Sequence, residues 1–385
     1  MPRTFTLASR ASQLAQIQTN IVLANLQEQF PPSADGSSPS FATSFMATAG
    51  DKNQSQALYL IGGKALWTKE LEVALKEGNV DMLIHSLKDV PTTLPEGCVL
   101  GAILEREDPV DSLVVKQGEK WKTIDDLPAG SVVGTSSVRR VAQLKRKYPL
   151  LKFLDVLKKG LPRNTRLAKL DAPDGPYAAL ILAKAGLVRL GMGNRISSDV
   201  APPTLYHAVS QGALGVEVRS DDTEALELCK KLTHRETAWR CSAERACLRV
   251  LEGGCSVPVG VASKLIAEDG GQVLTLTGCV TGLDGKQHVE HTLSEKVASL
   301  GDAESVGVKL AKILIETGAK KILEDINVDR DRRVDEAKAA DEVAKASLAL
   351  RPPPLARIQT NSIVATLQEL YPATDNSSPT FTASF

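Results

Sequence analysis

Three short stretches carry residue types that could do chemistry together. In the first, the apolar run from Val80 to Ile84 opens into a polar segment holding Ser86, Lys88 and Asp89. A carboxyl group at such a strand end can give or take a proton, and a lysine beside it can hold an anion. Most exposed Lys-Asp neighbours only solvate a surface, so this pair alone is a weak signal. In the second, Ser131–Gly134 reads as a strand followed by Thr135, Ser136 and Ser137, and then by a helix with Arg139 and Arg140 in its first turn. Hydroxyls and free N–H groups at a helix start bind carboxylate or phosphate, and arginine adds a bidentate clamp. The same residues also describe a plain N-cap. The third stretch is Leu251–Pro258, where a long helical pattern ends at Gly253 and Gly254 and presents Cys255 in a turn before a strand. A thiol exposed near cations deprotonates and becomes a nucleophile, although a lone loop cysteine is more often inert.

Elements able to position these residues alternate along the chain. Strand-like runs occupy residues 4–8, 41–48, 80–84, 112–115, 131–134, 153–156, 178–183 and 214–218, and helical periodicity covers 13–29 and 68–77. Alternation of this kind predicts α/β architecture with open twisted sheets, which place ligands beyond the carboxyl ends of their strands. The first two motifs sit at such ends. After Asp221 the pattern changes to long helices (224–232, 237–251), then strands (273–280, 289–293) and another helix, which predicts a separate third domain.

Composition narrows the function classes. A chain of 385 residues is expected to form two or three domains, and 43% hydrophobic with 24% charged residues is a globular balance. Net charge is zero, so no global field favours nucleic acid or an anionic membrane, and any anion site must be local. No apolar run approaches the ~20 residues that span a bilayer, and the N-terminus enters a strand-like run without a signal-peptide pattern. The six cysteines form no C-x-x-C pair and the five histidines show no metal-ligand spacing. Reduced thiols, a cytoplasmic location and no metal are therefore expected.

Together with Arg10–Gln13, Gly62–Glu72 and Ala208–Glu217, the three motifs resemble the porphobilinogen deaminase (hydroxymethylbilane synthase) family, in family order from Phe5 to Ile326. The resemblance implies an enzyme, a transferase, that joins four porphobilinogen molecules head to tail with loss of ammonia. It builds on a dipyrromethane primer held covalently by a cysteine, here Cys255. Thioether attachment keeps a primer in place through repeated cycles and needs no metal. Asp89 would protonate the departing amine and then, ionised, stabilise the azafulvene cation left behind. Each substrate carries an acetate and a propionate, so a cationic lining is required. By resemblance, Ser86, Lys88, Thr135, Ser137, Arg139, Arg140, Arg163 and Arg166 would hold the cofactor, and Arg10, Ser12, Lys64 and Arg189 the substrate. The implied fold has two periplasmic-binding-protein-like open-sheet domains around a cleft (1–106 with 206–222, and 107–205), plus a smaller α+β C-terminal domain (223–326). A monomer is expected.

Two stretches depart from the family pattern. After the paired arginines the chain reads Asp155–Leu167 with extra residues, and Leu157 stands where the family places a primer-contacting arginine. Arg163, Lys158 and Lys159 are the nearby replacements, but a lysine lacks the bidentate fork and Pro162 restricts the loop. Beyond a charged linker expected at 327–354, residues 355–385 repeat 14–45 with 18 identities in 31 aligned pairs. A single copied helix and loop cannot bury its own apolar face, so this tail is expected to be disordered. Two rivals follow: a family member whose altered loop impairs catalysis, and a non-catalytic anion-binding protein of periplasmic type.

Overall fold

The computed structural model describes residues 2–47, 65–156, 166–251, 257–268 and 270–349; Lys64, the 157–163 loop with Arg163, Cys255 and the 355–385 repeat lie outside the described residues. The first region contains β1 (Thr4–Arg10), α1 (Gln13–Gln29), β2 (Ser40–Met46), α2 (Ala65–Lys76), β3 (Met82–Ser86) and β4 (Cys98–Ile103). The second contains β5 (Asp111–Val115), β6 (Val132–Gly134), α3 (Val138–Lys147), β7 (Lys152–Leu154), α4 (Arg166–Asp171), β8 (Ala179–Ala183), α5 (Lys184–Arg189) and β9 (Ser198–Val200). The chain then returns through β10 (Leu214–Arg219) to the first sheet.

The two sheets share one plan. Their strand orders are β2-β1-β3-β10-β4 and β7-β6-β8-β5-β9, in which the first three strands are parallel and the fourth runs against its neighbours. In each case the antiparallel strand begins just after the chain has crossed from the other sheet. The centre of each sheet is covered on both faces, which is why β3 and β8 read as near-continuous apolar runs. On the first sheet Phe5, Leu7, Met82 and Ile84 pack with Val22 and Leu26 of α1, while Ala8 and Leu83 pack with Leu71 and Leu75 of α2. On the second, Leu113, Val133 and Ile181 meet Leu144 of α3 on one side, and Val114 and Leu180 meet Leu170 of α4 on the other.

Residues 104–110 and 201–213 are the two crossovers. They touch closely: Gly212 has φ +92°, and a Cβ there would lie 2.2 Å from the Glu107 carbonyl oxygen. Only glycine fits that approach.

Helices α6 (Thr223–Leu232) and α7 (Arg235–Val250) follow, then an antiparallel sheet of β11 (Val259–Glu268), β12 (Gly271–Thr281) and β13 (His288–Val297), and α8 (Leu300–Leu314). Leu274, Leu276 and Val261 of this sheet bury against Ala243 and Cys247 of α7 and Val306 and Leu310 of α8. The two helices are in backbone contact, since a Cβ on Gly307 would fall 2.0 Å from the Ala243 carbonyl oxygen. A β-bridge between His207 and Val261 ties the third sheet to the second crossover.

The sequence predicts most of these elements within a few residues but not β4 or β9. In β4 the alternation is broken by Gly101, whose missing side chain leaves room for Cys229 and Val218. The charged stretch expected as a linker is helix-prone in its sequence, and it is helical here, in α9 (Lys320–Ala349). Acidic and basic helix formers at favourable spacing, such as Asp329 and Arg332, account for this. The residues from Val334 onward belong to a second compact unit, whose described part is residues 334–349 at the end of this helix. Among the described residues, no helix is long and apolar enough to cross a membrane and no residue group suits a metal ion.

Candidate active site

The segment after β3 is held almost residue by residue. The amide of Gln18 in α1 bonds the Ser86 hydroxyl at 2.8 Å, and the Leu87 N–H donates to the Ala213 carbonyl at 2.9 Å while its side chain is fully buried. A single 3₁₀ turn, Leu87–Asp89, closes with the Val90 N–H donating to the Leu87 carbonyl at 3.2 Å. Lys88 Nζ donates to Gln211 Oε1 at 3.2 Å. Asp89 alone is exposed, and its carboxylate has no hydrogen-bond or ion-pair partner among the described residues.

Gln211, almost entirely buried in the second crossover, carries this network into the second sheet. Its amide nitrogen donates to the Pro109 carbonyl at 2.7 Å and to Asp111 Oδ1 at 2.8 Å. Asp111, at the start of β5, also accepts from Arg139 at 2.8 Å and from Arg140 at 2.8 and 3.1 Å. Burial pushes its carboxyl up, but the two guanidiniums outweigh burial and hold it well below the usual carboxylate range. The paired arginines are thus buried and spoken for: Arg139 also donates to the Tyr206 carbonyl and Arg140 to that of Ile181. They contribute charge to the site while their donors are largely engaged within the protein.

Lys88 lies where this charge is felt. Burial draws its ammonium down to about 8, Asp89 opposes that shift, and Arg140 reinforces it. Arg166, the first residue of α4, reaches solvent; its pKa is lowered by desolvation and by Arg140, against Asp89 and Asp155. The structure therefore brings Lys88, Asp89, Arg139, Arg140 and Arg166 into one electrostatic neighbourhood at the carboxyl ends of β3 and β6.

The other expected residues are placed as follows. Ser137 caps α3, its hydroxyl accepting from the Arg140 N–H at 3.5 Å, and the buried Thr135 hydroxyl accepts from the Ser137 N–H at 3.3 Å. Arg10 ends β1, and Ser12 caps α1 by accepting from the Ala15 N–H at 3.4 Å. Arg189 donates to the Gly212 carbonyl at 2.7 Å, which binds it to the crossover. Gln18, Asp111 and Gln211 were not singled out from sequence, although Gln211 lies within one of the quoted motifs. Each works through a partner 68 to 123 residues away, which no local pattern reveals.

Such a site can bind carboxylates beside one free carboxyl group, and comparison with known proteins identifies the family. Residues 5–227 match the model of the porphobilinogen deaminase dipyrromethane cofactor binding domain, and residues 238–316 match that of the porphobilinogen deaminase C-terminal domain. The porphobilinogen deaminase of Nostoc sp. is 49% identical over 330 residues, covering 86% of this chain and 97% of that one. That of Saccharomyces cerevisiae is 46% identical over 334 residues, covering 86% and 99%. Among solved structures, an amino-acid ABC transporter extracellular-binding protein from Bacillus subtilis matches at 13% identity and TM-score 0.37, over 60% of this chain and 91% of that one. With two family models in sequence order and near-half identity across almost the whole length of its relatives, the chain belongs to the porphobilinogen deaminase family.

Proposed function

We propose that this chain is a transferase that condenses four porphobilinogen molecules into hydroxymethylbilane with release of ammonia, using Asp89 as the catalytic acid and Cys255 as the anchor of a dipyrromethane primer. The observation that carries the reading is the state of Asp89. It is the one side chain of its turn left without a partner, and its charge is felt by the cations Lys88 and Arg166.

The cysteines support Cys255 by contrast. Cys98, Cys229, Cys241, Cys247 and Cys279 are all buried and free, and burial pushes their thiols up to about 11 or 12. Thiols held neutral in this way are poor nucleophiles. Cys255 follows, in sequence, the buried Leu251 at the end of α7.

A dicarboxylate pyrrole fits the donor set. When bound, the dipyrromethane would supply the free pyrrole carbon on which the chain is extended. Lys88 and Arg166 would pair with acetate and propionate groups; Arg10, Ser12, Lys64, Arg163 and Arg189, with the hydroxyls of Ser86, Thr135 and Ser137, are proposed as further contacts. Arg139 and Arg140, fixed on Asp111, would act through their field more than through free donors. Asp89 would pass its proton to the departing amine and, once ionised, face the cation remaining on the substrate. The proposed division is 1–106 with 206–222, 107–205, and 223–326, in a cytoplasmic monomer.

Intact mass spectrometry tests the anchor. The purified chain should carry an adduct of dipyrromethane mass that maps to Cys255, and added porphobilinogen should extend it in single-substrate steps. A chain that stays unmodified after incubation with substrate would refute the reading.

A further inference from the structure

Besides Lys88 and Leu87, the turn that carries Asp89 has a third anchor, and it comes from the helix that packs on the three-stranded sheet. Arg245 of α7 donates to the Val90 carbonyl at 3.1 Å and to the Pro91 carbonyl at 2.5 Å, the first two carbonyls after Asp89. We propose that Arg245 is a positioning residue for the reaction, fixing the Asp89 turn to the helix that leads in sequence to Cys255. This rests on the catalytic role proposed above for Asp89.

The chemistry of Arg245 argues against a role in stability alone. It is 7% exposed, and among the described residues it makes no ion pair. Burial draws its guanidinium down to about 10, against the nearby charges of Glu217 and Glu304 that raise it. An apolar side chain of similar volume would fill the space at lower cost. What such a side chain could not supply is a rigid planar fork aimed at two consecutive carbonyls.

The neighbouring residue extends the argument. Glu244 accepts from Arg106 in the first crossover and from the Ser210 N–H, at 2.7 Å, in the second. Ser210 immediately precedes Gln211, the partner of Lys88. Two successive residues of α7 therefore hold backbone next to the Lys88–Asp89 pair: Glu244 at Ser210, beside the Lys88 partner Gln211, and Arg245 at Val90 and Pro91, just after Asp89. The helix cannot shift easily, because the Gly307 backbone of α8 lies against it at Ala243.

Loss of Arg245 should leave the residues proposed to bind carboxylates in place and loosen only the carboxyl group that transfers the proton. Misplacement by about 1 Å can cost ~100-fold in rate. In the full-length, primer-loaded chain, Arg245→Met is expected to lower kcat by ~10- to 100-fold with KM within about twofold and the mass adduct retained. Arg245→Lys, which keeps one donor, should recover part of the loss, and millimolar guanidinium chloride should partly rescue Arg245→Ala. A loaded Arg245→Met variant that matches an active parent overturns the inference. So does a loss that no guanidinium restores and that follows the unfolded fraction measured by circular dichroism. If the parent itself shows neither adduct nor turnover, the proposed function fails, and this inference with it.

Discussion

Arg106 and Glu244 meet in a two-pronged ion pair, 2.6 and 3.0 Å long, in which neither side chain is more than 2% exposed. The pair joins the first crossover to α7. It is well satisfied: Glu244 also accepts from the Ser210 N–H and from the Ser263 hydroxyl at 2.6 Å, while Arg106 Nε donates to the Gln211 carbonyl at 2.7 Å. Removing one partner leaves a charge buried among groups arranged for its opposite. Arg106→Leu is therefore expected to lower stability by ~3–5 kcal/mol. Urea unfolding should show this as a lower midpoint at unchanged slope, and the double change Arg106→Leu with Glu244→Met should recover much of the loss.

The same carboxylate sets an acid limit on stability. Burial pushes the Glu244 carboxyl up, but Arg106 and His207 overcome that and bring it down to about 2. A carboxyl group lowered in the folded state contributes stability that is fully present above its unfolded pKa, roughly 4.3, and is lost as pH falls through the folded value. Asp111 is shifted in the same direction. Urea midpoints should fall steadily from pH 5 towards pH 2, and Glu244→Gln, less stable at neutral pH, should show a flatter dependence over that range.

Asp89→Asn tests the proton transfer itself. The amide keeps the shape of the turn and removes the only unpartnered carboxyl group in it. Turnover should drop by ~100- to 10,000-fold, the range expected for loss of a general acid. Melting temperature and primer mass should stay near those of the parent, and near-normal rates would rule out this role for Asp89.

Lys88 predicts an alkaline limb. Its ammonium, drawn down to about 8, loses its charge as pH rises through that value, and attraction for substrate carboxylates goes with it. The profile of kcat/KM, which reports groups in the free enzyme, should therefore decline above about pH 8. Lys88→Arg keeps its charge at all accessible pH values, so the limb should vanish even if the maximum is lower.

How much of this was legible in the sequence depended on how local the cause was. Ser137 announces its helix because an N-cap acts within one turn, and α1 was readable from its periodicity to the residue. The parallel strands β3 and β6 were visible as apolar runs with polar ends, which also located Asp89. What could not be read was where the charges would settle. Arg139 and Arg140 look like free clamps in sequence, yet both turn inward to Asp111, 28 and 29 residues earlier in the chain. Likewise, nothing near Arg245 signals that its partners are the Val90 and Pro91 carbonyls, 155 and 154 residues away. Secondary structure follows from neighbours in sequence, whereas the electrostatics of this site follow from neighbours in space.

Because the chain passes between the two open sheets twice, the sheets are joined as a door is joined by two pins. Any opening motion has to bend both strips of backbone together, and at Gly212 those strips touch with no side chain between them. Lys88 is fastened to one of the strips through Gln211, so a swing of one half against the other would pull directly on the residue beside Asp89.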